Sequence, residues 1–201
     1  QMDTAWLRLA VARALTEPWT WPASSEVFAP VGYPVGNLVP NAVDHATGAP
    51  FALLLPWPLA DNLSWIAVLA LNGLAGHALG HQVGGNHRSG FLVGVALASC
   101  EPVLREANFG HAPQTLVAPA AAMLAAWLRA LDPRGRAWHA ALAGAMFALS
   151  ALTYWYQGLF AAVVATPITV HALVTSTRRG TTLQSVRQLG VAALTATALF
   201  V

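Results

Sequence analysis

Long apolar runs separated by short polar turns dominate the chain from residue 63 onward. Only 9% of the 201 residues are charged and 56% are hydrophobic, whereas a soluble domain usually carries about 25% charged residues. Too little polar surface remains to face water on all sides, so the sequence predicts a membrane protein. A spanning helix needs about 20 mostly apolar residues. The predicted spans are 63–83, 89–104, 112–131, 137–155 and 158–176, with an incomplete sixth from about 188.

The expected fold is all-α, a polytopic transmembrane helix bundle preceded by a large extracytoplasmic loop. We place the loop at 1–62 and the bundle at 63–201. Residues 1–17 show an apolar helical face and predict an amphipathic helix lying on the membrane surface. A Pro-, Gly- and Asn-rich loop follows, and 51–60 is too short to span, which favours an interfacial or re-entrant helix. Because the last apolar run stops at Val201, we expect a fragment of a longer polytopic protein.

Arginine placement predicts the orientation of the spans. Seven of the ten arginines lie in or beside the turns 84–88, 132–137 and 177–187, and three lie on the other side. The positive-inside rule makes the arginine-rich side cytoplasmic. The net charge of +2 is too small to indicate a nucleic-acid partner. The single cysteine, Cys100, excludes an intramolecular disulfide. The sequence does not set an oligomeric state.

Most reactive side chains then fall on the outer side. Asp3 is a candidate general base, although an acid at a helix start is more often an N-terminal cap. Asp44 and His45 could bind a metal or share a proton, but an Asx-turn before Thr47-Gly48 is the simpler interpretation.

The stretch "EANFGH" joins two apolar runs and holds the second outer candidate site. Glu106 and His111 flank a turn in which Gly110 allows the chain to bend, and they could bind a metal or a phosphate. Arg105 lies four residues after Glu101, so an ion pair between these two is the simpler expectation.

Two further groups of side chains, three histidines and an aromatic cluster, are typical of a membrane boundary. His77 and His81 lie one helical turn apart, a spacing that can bind zinc. No glutamate follows His77, so the metalloprotease pattern fails, and we interpret these two and His87 as structural. The aromatic cluster of Tyr154, Trp155 and Tyr156 favours anchoring at the membrane boundary, with stacking on a sugar or lipid as the alternative.

The order of several motifs resembles that of a known family. The motifs are "DTAW", "VFAPVGYPVGN", "AVDHATGAPFALLLPWPL", "LNGLAGHALGHQVGGNHRSGFLVGVALAS", "REANFGH" and "GAMFALSALTYWYQGLF". Together they resemble the N-terminal half of bacterial polytopic membrane proteins with a GT-C glycosyltransferase-like architecture. The resemblance covers nearly all of the chain and is carried by the order of motifs more than by any one of them. It implies residence in the bacterial inner membrane.

The resemblance implies sugar transfer from a polyprenyl-phosphate-linked donor at the outer face, often with a divalent metal such as Mg²⁺ or Mn²⁺. Asp3 is the position that matches the family's acidic base, although that acid usually follows a first span and could lie upstream of Gln1. Glu106 and His111 match the outer loop that contacts the donor phosphate, and Arg105, Asp44 and His45 join them as donor-binding candidates. The alternative is a non-catalytic membrane protein, a transporter or a subunit that handles lipid-linked saccharides.

Overall fold

Helices form almost all of the described structure. The computed structural model describes residues 23–24, 33–34, 42–179 and 182–199. The predicted surface helix in 1–17 and Asp3 lie outside these residues. Two short strands, β1 (Ala23–Ser24) and β2 (Tyr33–Pro34), pair antiparallel. The helices are α1 (Ala42–Leu54), α2 (Leu59–Gly84), α3 (His87–Ser99), α4 (Glu101–Phe109), α5 (Ala112–Thr115), α6 (Ala118–Leu131), α7 (Ala137–Thr153), α8 (Trp155–Arg179) and α9 (Thr182–Ala198).

Among the described residues, three helical segments are long and apolar enough to cross a membrane: Leu59–Gly84, Ala112–Leu131 and Trp155–Thr177. They coincide with the predicted spans 63–83, 112–131 and 158–176. Helix α7 is apolar but has only 17 residues, and α9 also has 17. Both are shorter than the roughly 20 residues that a perpendicular span requires.

The predicted span 89–104 is wrong as a single helix. Helix α3 ends at Ser99, Cys100 has extended backbone angles, and α4 begins at Glu101 with Pro102 in its first turn. Proline favours an extended residue before it or a place in the first helical turn, so the chain breaks here and changes direction. Helix α3 therefore stops before Cys100 and does not continue to residue 104.

The expectation for residues 42–60 is also wrong in detail. Asp44 and His45 lie in helix α1 rather than in an Asx-turn, and the short helix predicted at 51–60 starts at Ala42 and ends at Leu54. Packing explains the difference, because Val43 contacts an apolar cluster that includes Val68 of α2, and such contacts outweigh local turn preferences. Prolines 56 and 58 then separate α1 from α2.

Helices α2 and α3 form an antiparallel hairpin through glycines. A Cβ atom built on Gly80 would lie 2.6 Å from the Ser89 carbonyl oxygen, and one on Gly94 would lie 2.7 Å from the Gly73 carbonyl oxygen. Small residues at such crossings let two backbones approach closely, which is the usual packing device of membrane helices. The four-residue spacing of Gly76, Gly80 and Gly84 was the available sequence signal for this crossing.

The buried carboxamide of Asn72 joins α2 to the break between α5 and α6. Its Nδ2 donates to the carbonyl of Thr115 at 2.8 Å, and its Oδ1 accepts from the backbone nitrogens of Val117 and Ala118 at 3.0 and 2.9 Å. Asn72 thus supplies partners for backbone groups that the helix break leaves free.

A second core lies among α6, α7, α8 and α9. It is built mainly from alanines around Met123 and Trp127, and the Trp127 indole donates to Thr169 Oγ1 at 2.9 Å. Beside it lies a largely apolar cavity of about 340 Å³, lined by residues that include Phe147, Thr166 and Leu189.

Replacement of Gly80 by alanine tests the glycine crossing. The added Cβ would meet the backbone of α3, so the hairpin must open, and we expect a loss of about 1–3 kcal/mol in the free energy of unfolding. Gly190 of α9 has no atom within 4 Å of an added Cβ, so Gly190→Ala is the matched control. We expect that control to be neutral or stabilised by up to about 1 kcal/mol from helix propensity. Reversible unfolding in detergent micelles measures the free energy of unfolding of both variants.

Replacement of Asn72 by leucine tests the polar connection at the helix break. The change removes three hydrogen bonds and leaves the buried amide of Ala118 without a partner, whereas the Val117 amide still donates to the Thr115 carbonyl at 3.0 Å. We expect unfolding to become easier by about 1–3 kcal/mol. Asn62 is exposed in the first turn of α2, so Asn62→Leu is the matched control, which makes the same replacement at an exposed position. Equal stability of the two variants in the same unfolding assay would contradict the role given to Asn72.

Candidate functional site

The candidate site is built on helix α4 and the turn that follows it. The helix ends at Phe109 because Gly110 adopts the left-handed conformation with φ of 78°, which favours glycine. The amide of His111 then donates to the carbonyl of Glu106 at 2.9 Å. This reversal brings the His111 side chain back over the last turn of the helix, as the spacing of "EANFGH" predicts.

Glu106 is the centre of the site. Its Oε2 lies 2.8 Å from Nδ1 of His111, and its Oε1 accepts from Nε and Nη2 of Arg105, each at 3.3 Å. The Glu106 side chain is 18% exposed, whereas those of His111 and Arg105 are 54% and 55% exposed. The predicted pair of Arg105 with Glu101 is also present at 3.5 Å, on the open surface.

The contact with Glu106 sets the chemistry of His111. A carboxylate only accepts hydrogen bonds, so Nδ1 of His111 carries the proton that joins them. The other ring nitrogen, Nε2, is then the atom left to exchange a proton or to contact a ligand. A carboxylate that orients an imidazole in this way is a frequent arrangement in sites that move protons. In this geometry Glu106 orients the imidazole ring, and Nε2 of His111 faces away from the carboxylate.

The site shifts the titration of its carboxylate. The hydrogen bond from His111 holds the pKa of the Glu106 carboxyl below its usual range, and Arg105 acts in the same direction against the opposing effect of partial burial. Glu106 consequently stays ionised under mildly acidic conditions, and it continues to orient His111 there.

Helix α8 contacts the segment that follows the turn. Gln157 Nε2 of α8 donates to the carbonyl of Pro113 at 2.8 Å. Within that segment, Thr115 Oγ1 donates to the carbonyl of His111 at 3.0 Å. Sequence reasoning missed Gln157, although an amide inside the aromatic stretch "TYWYQGLF" was a usable signal.

The aromatic candidates lie at the start of the same helix. Tyr154 is the extended residue between α7 and α8, and the rings of Trp155 and Tyr156 have centroids 3.6 Å apart. Trp155 is 54% exposed and Tyr156 41% exposed. These exposed faces keep both interpretations open, membrane anchoring and ligand stacking.

The site lies on a ledge, which we define as residues 98–118 and 153–158. Asn72 holds the ledge to the middle of α2, and Gln157 holds α8 to it. Residues 59–71 of α2 extend about 20 Å from Asn72, away from the turn between α2 and α3, at about 1.5 Å per residue. Helix α1 packs against α2. The site thus sits at a step where several helices end and α2 continues.

The remaining candidates do not complete a cation site in the described structure. Asp3 lies outside the described residues, and for Asp44 and His45 only the helical backbone is described. Within the described ranges, no three His, Cys, Asp or Glu side chains are arranged to hold a metal ion. Both oxygens of Glu106 already have partners. The divalent metal that the family resemblance implies stays a prediction.

Comparison of the chain with protein-family models, with curated proteins and with solved structures finds no match.

The acid dependence of folding tests the Glu106–His111 contact. Because the pKa of Glu106 is lower in the folded than in the unfolded chain, its contribution to stability is complete above the ordinary glutamate pKa of about 4.3. That contribution is lost as the pH falls through the lower folded value. We expect Glu106→Gln and His111→Ala each to flatten the decline in stability below about pH 4, measured by unfolding at a series of pH values.

Glu101→Gln is the matched control, because it removes a carboxylate from the same helix without touching the contact with His111. The control should keep the decline of the wild-type protein. An equal decline in all four proteins would show that Glu106 and His111 are not coupled.

Proposed function

We propose that this chain is a membrane glycosyltransferase, or the part of one, that uses a polyprenyl-phosphate-linked sugar as donor. The observation that carries the proposal is the 2.8 Å contact between Glu106 and His111, placed with Arg105 on a ledge among apolar helices. A lipid-phosphate sugar is amphiphilic, so it needs a polar site where apolar helices end. The motif order that resembles GT-C enzymes supports the same class of reaction.

The ledge supplies groups suited to a phosphate. The Arg105 guanidinium is more than half exposed and can bind two oxygens of a phosphate, although it must share or exchange its contact with Glu106. His111 Nε2 can donate a second hydrogen bond when the ring is protonated. As the glycosyl bond breaks, negative charge grows on the leaving phosphate, and these two cations would stabilise it.

The apolar cavity among α6, α7, α8 and α9 suits the tail of such a donor. Ala162 lines it, five residues after Gln157, which places its edge about 8 Å along α8 from the ledge. The head of the donor would rest at His111 and Arg105, and part of its tail would lie in this cavity. The exposed aromatic rings of Trp155 and Tyr156 provide a stacking face near the sugar.

In the proposed reaction, Asp3 is the general base that acts on the acceptor. A carboxylate there would take the proton from an acceptor hydroxyl while the sugar moves from phosphate to oxygen. The outward orientation of the ledge, in the bacterial inner membrane, rests on the arginine distribution of the sequence.

A second candidate function is supported by the pairing of Glu106. Both of its oxygens are already engaged, and the exposed groups that contact it are Arg105 and His111, which suit a site that holds a phosphate without catalysis. A non-catalytic transporter or subunit that binds lipid-linked saccharides would use the same residues.

Transfer assays on the full-length protein distinguish these functions. We expect His111→Ala to lower the rate of transfer from a polyprenyl-phosphate donor by about 10²-fold, because loss of one hydrogen-bond donor to charge that grows in the transition state costs about that much. Glu106→Gln should cost about tenfold, since the ring stays in place but loses its orienting charge. Asp3→Asn should abolish transfer if Asp3 is the base.

His171→Ala is the control for this experiment, because His171 is exposed on α8 toward the opposite end from Gln157. It should retain full activity. Full activity of the Asp3, Glu106 and His111 variants together would exclude the proposed site. Binding of the donor by the wild-type protein without transfer to any acceptor would favour the non-catalytic function.

A further inference from the structure

A polar cavity of about 230 Å³ lies where α6 and α8 end and α9 begins. We call it the inner pocket, and its lining residues belong to 130–133, 171–176 and 184–185. Two segments that are long and apolar enough to cross a membrane, Ala112–Leu131 and Trp155–Thr177, end beside it. The inner pocket is therefore at the opposite end of these two segments from the ledge, on the arginine-rich side of the chain.

Hydrogen bonds from α9 hold the turn that forms one wall of the inner pocket. Gln184 Nε2 donates to the carbonyl of Pro133 at 3.3 Å, and Gln188 Nε2 donates to the carbonyl of Gly135 at 3.3 Å. These bonds join residues that are 51 and 53 positions apart in the sequence, so the pocket is a product of the fold. Because the amide nitrogen of Gln184 is engaged, its side-chain carbonyl oxygen is the atom left to accept from a ligand.

The carboxylate of Asp132 lies in the same wall with one oxygen unused. Its Oδ1 accepts from the backbone amide of Arg134 at 2.8 Å. Within residues 42–179 and 182–199 this carboxylate makes no ion pair, so its Oδ2 has no partner there. Asp132 also follows the carbonyl end of α6, where the helix dipole adds negative potential. This part of the inner pocket therefore favours a cation.

Buried hydroxyls line the opposite wall. Ser185 is 8% exposed, and its hydroxyl makes no hydrogen bond in the part of the chain that the structure describes. Ser176 is also buried, and its hydroxyl already donates to the carbonyl of Leu173 at 2.9 Å, so it can only accept from a ligand. His171 borders the pocket with an exposed side chain and makes no ion pair with Asp132. The lining therefore offers more acceptors than donors.

We propose that the inner pocket binds the primary ammonium group of an ethanolamine phospholipid head group. An ammonium carries one positive charge and three N–H donors, which match the free oxygen of Asp132, the Gln184 carbonyl and the Ser185 hydroxyl. Arg129 and Arg134 flank the segment 130–133 with exposed side chains, and an arginine fork suits the phosphate of the same head group. A zwitterionic head group thus matches a carboxylate that lies between two cations. Its tails would lie along the apolar helices that end here.

Calorimetric titration of the purified full chain in detergent with a short-chain ethanolamine phospholipid tests the proposal. We expect one lipid per chain, bound about tenfold more tightly than the matched choline phospholipid, because the methyl groups of choline keep the charge and remove the N–H donors. Asp132→Asn should lower the affinity for the ethanolamine lipid about tenfold, and it keeps the oxygen that accepts from the Arg134 amide. Ser185→Ala should lower it about fivefold, through the loss of one hydrogen bond.

Two matched variants serve as controls. Glu101→Gln removes an exposed carboxylate from the ledge, and Ser99→Ala removes an exposed hydroxyl from α3, so both should bind the ethanolamine lipid as the wild type does. The comparison of the two lipids uses the wild-type chain alone and does not depend on the folding of any variant. Equal affinity for the two lipids, or unchanged affinity in Asp132→Asn, would overturn the proposal. Binding of free phosphoethanolamine as tight as that of the lipid would overturn the assignment to a phospholipid.

Discussion

The hydrogen bonds of the Asn72 side chain are the interaction on which the arrangement of the described helices depends. A helix break inside an apolar environment leaves backbone donors and acceptors without partners, and such groups are costly there. The carboxamide of Asn72 supplies both an acceptor and a donor to the break between α5 and α6. These hydrogen bonds fix the point along α2 beside which α6 begins. The position of His111, four residues before Thr115, follows from that.

The break gives the candidate site its chemistry. An uninterrupted helix through 101–131 would present Glu106 and His111 to lipid on different faces. Because α4 ends at Gly110 and the chain reverses, the carboxylate and the imidazole meet at 2.8 Å instead. The contact that lowers the pKa of Glu106 engages its Oε2, and Arg105 engages its Oε1, so the ring nitrogen of His111 that faces away from Glu106 is the atom of the pair left for a ligand. A sequence with both residues in one short stretch does not distinguish these roles.

The features that local sequence fixes were predictable. The three long spans follow from apolar length, the reversal at 110 from glycine, and the Glu101–Arg105 pair from helical spacing. The start of α1 and the close crossing of α2 and α3 depend on contacts between segments distant in the chain or on how closely two helices approach. Such distances are set by packing, and a periodic pattern does not contain them. The role of Asp3 and the identity of a donor stay predictions.

The unequal helix lengths also bear on the lipid around the protein. Helices α3 and α7 have 13 and 17 residues, or about 20 and 26 Å, whereas a hydrocarbon core is about 30 Å thick. Hydrophobic mismatch of this kind is relieved by thinning of the adjacent leaflet. A bilayer around these helices would be thinner beside α7 than beside the longer apolar helices α2 and α8.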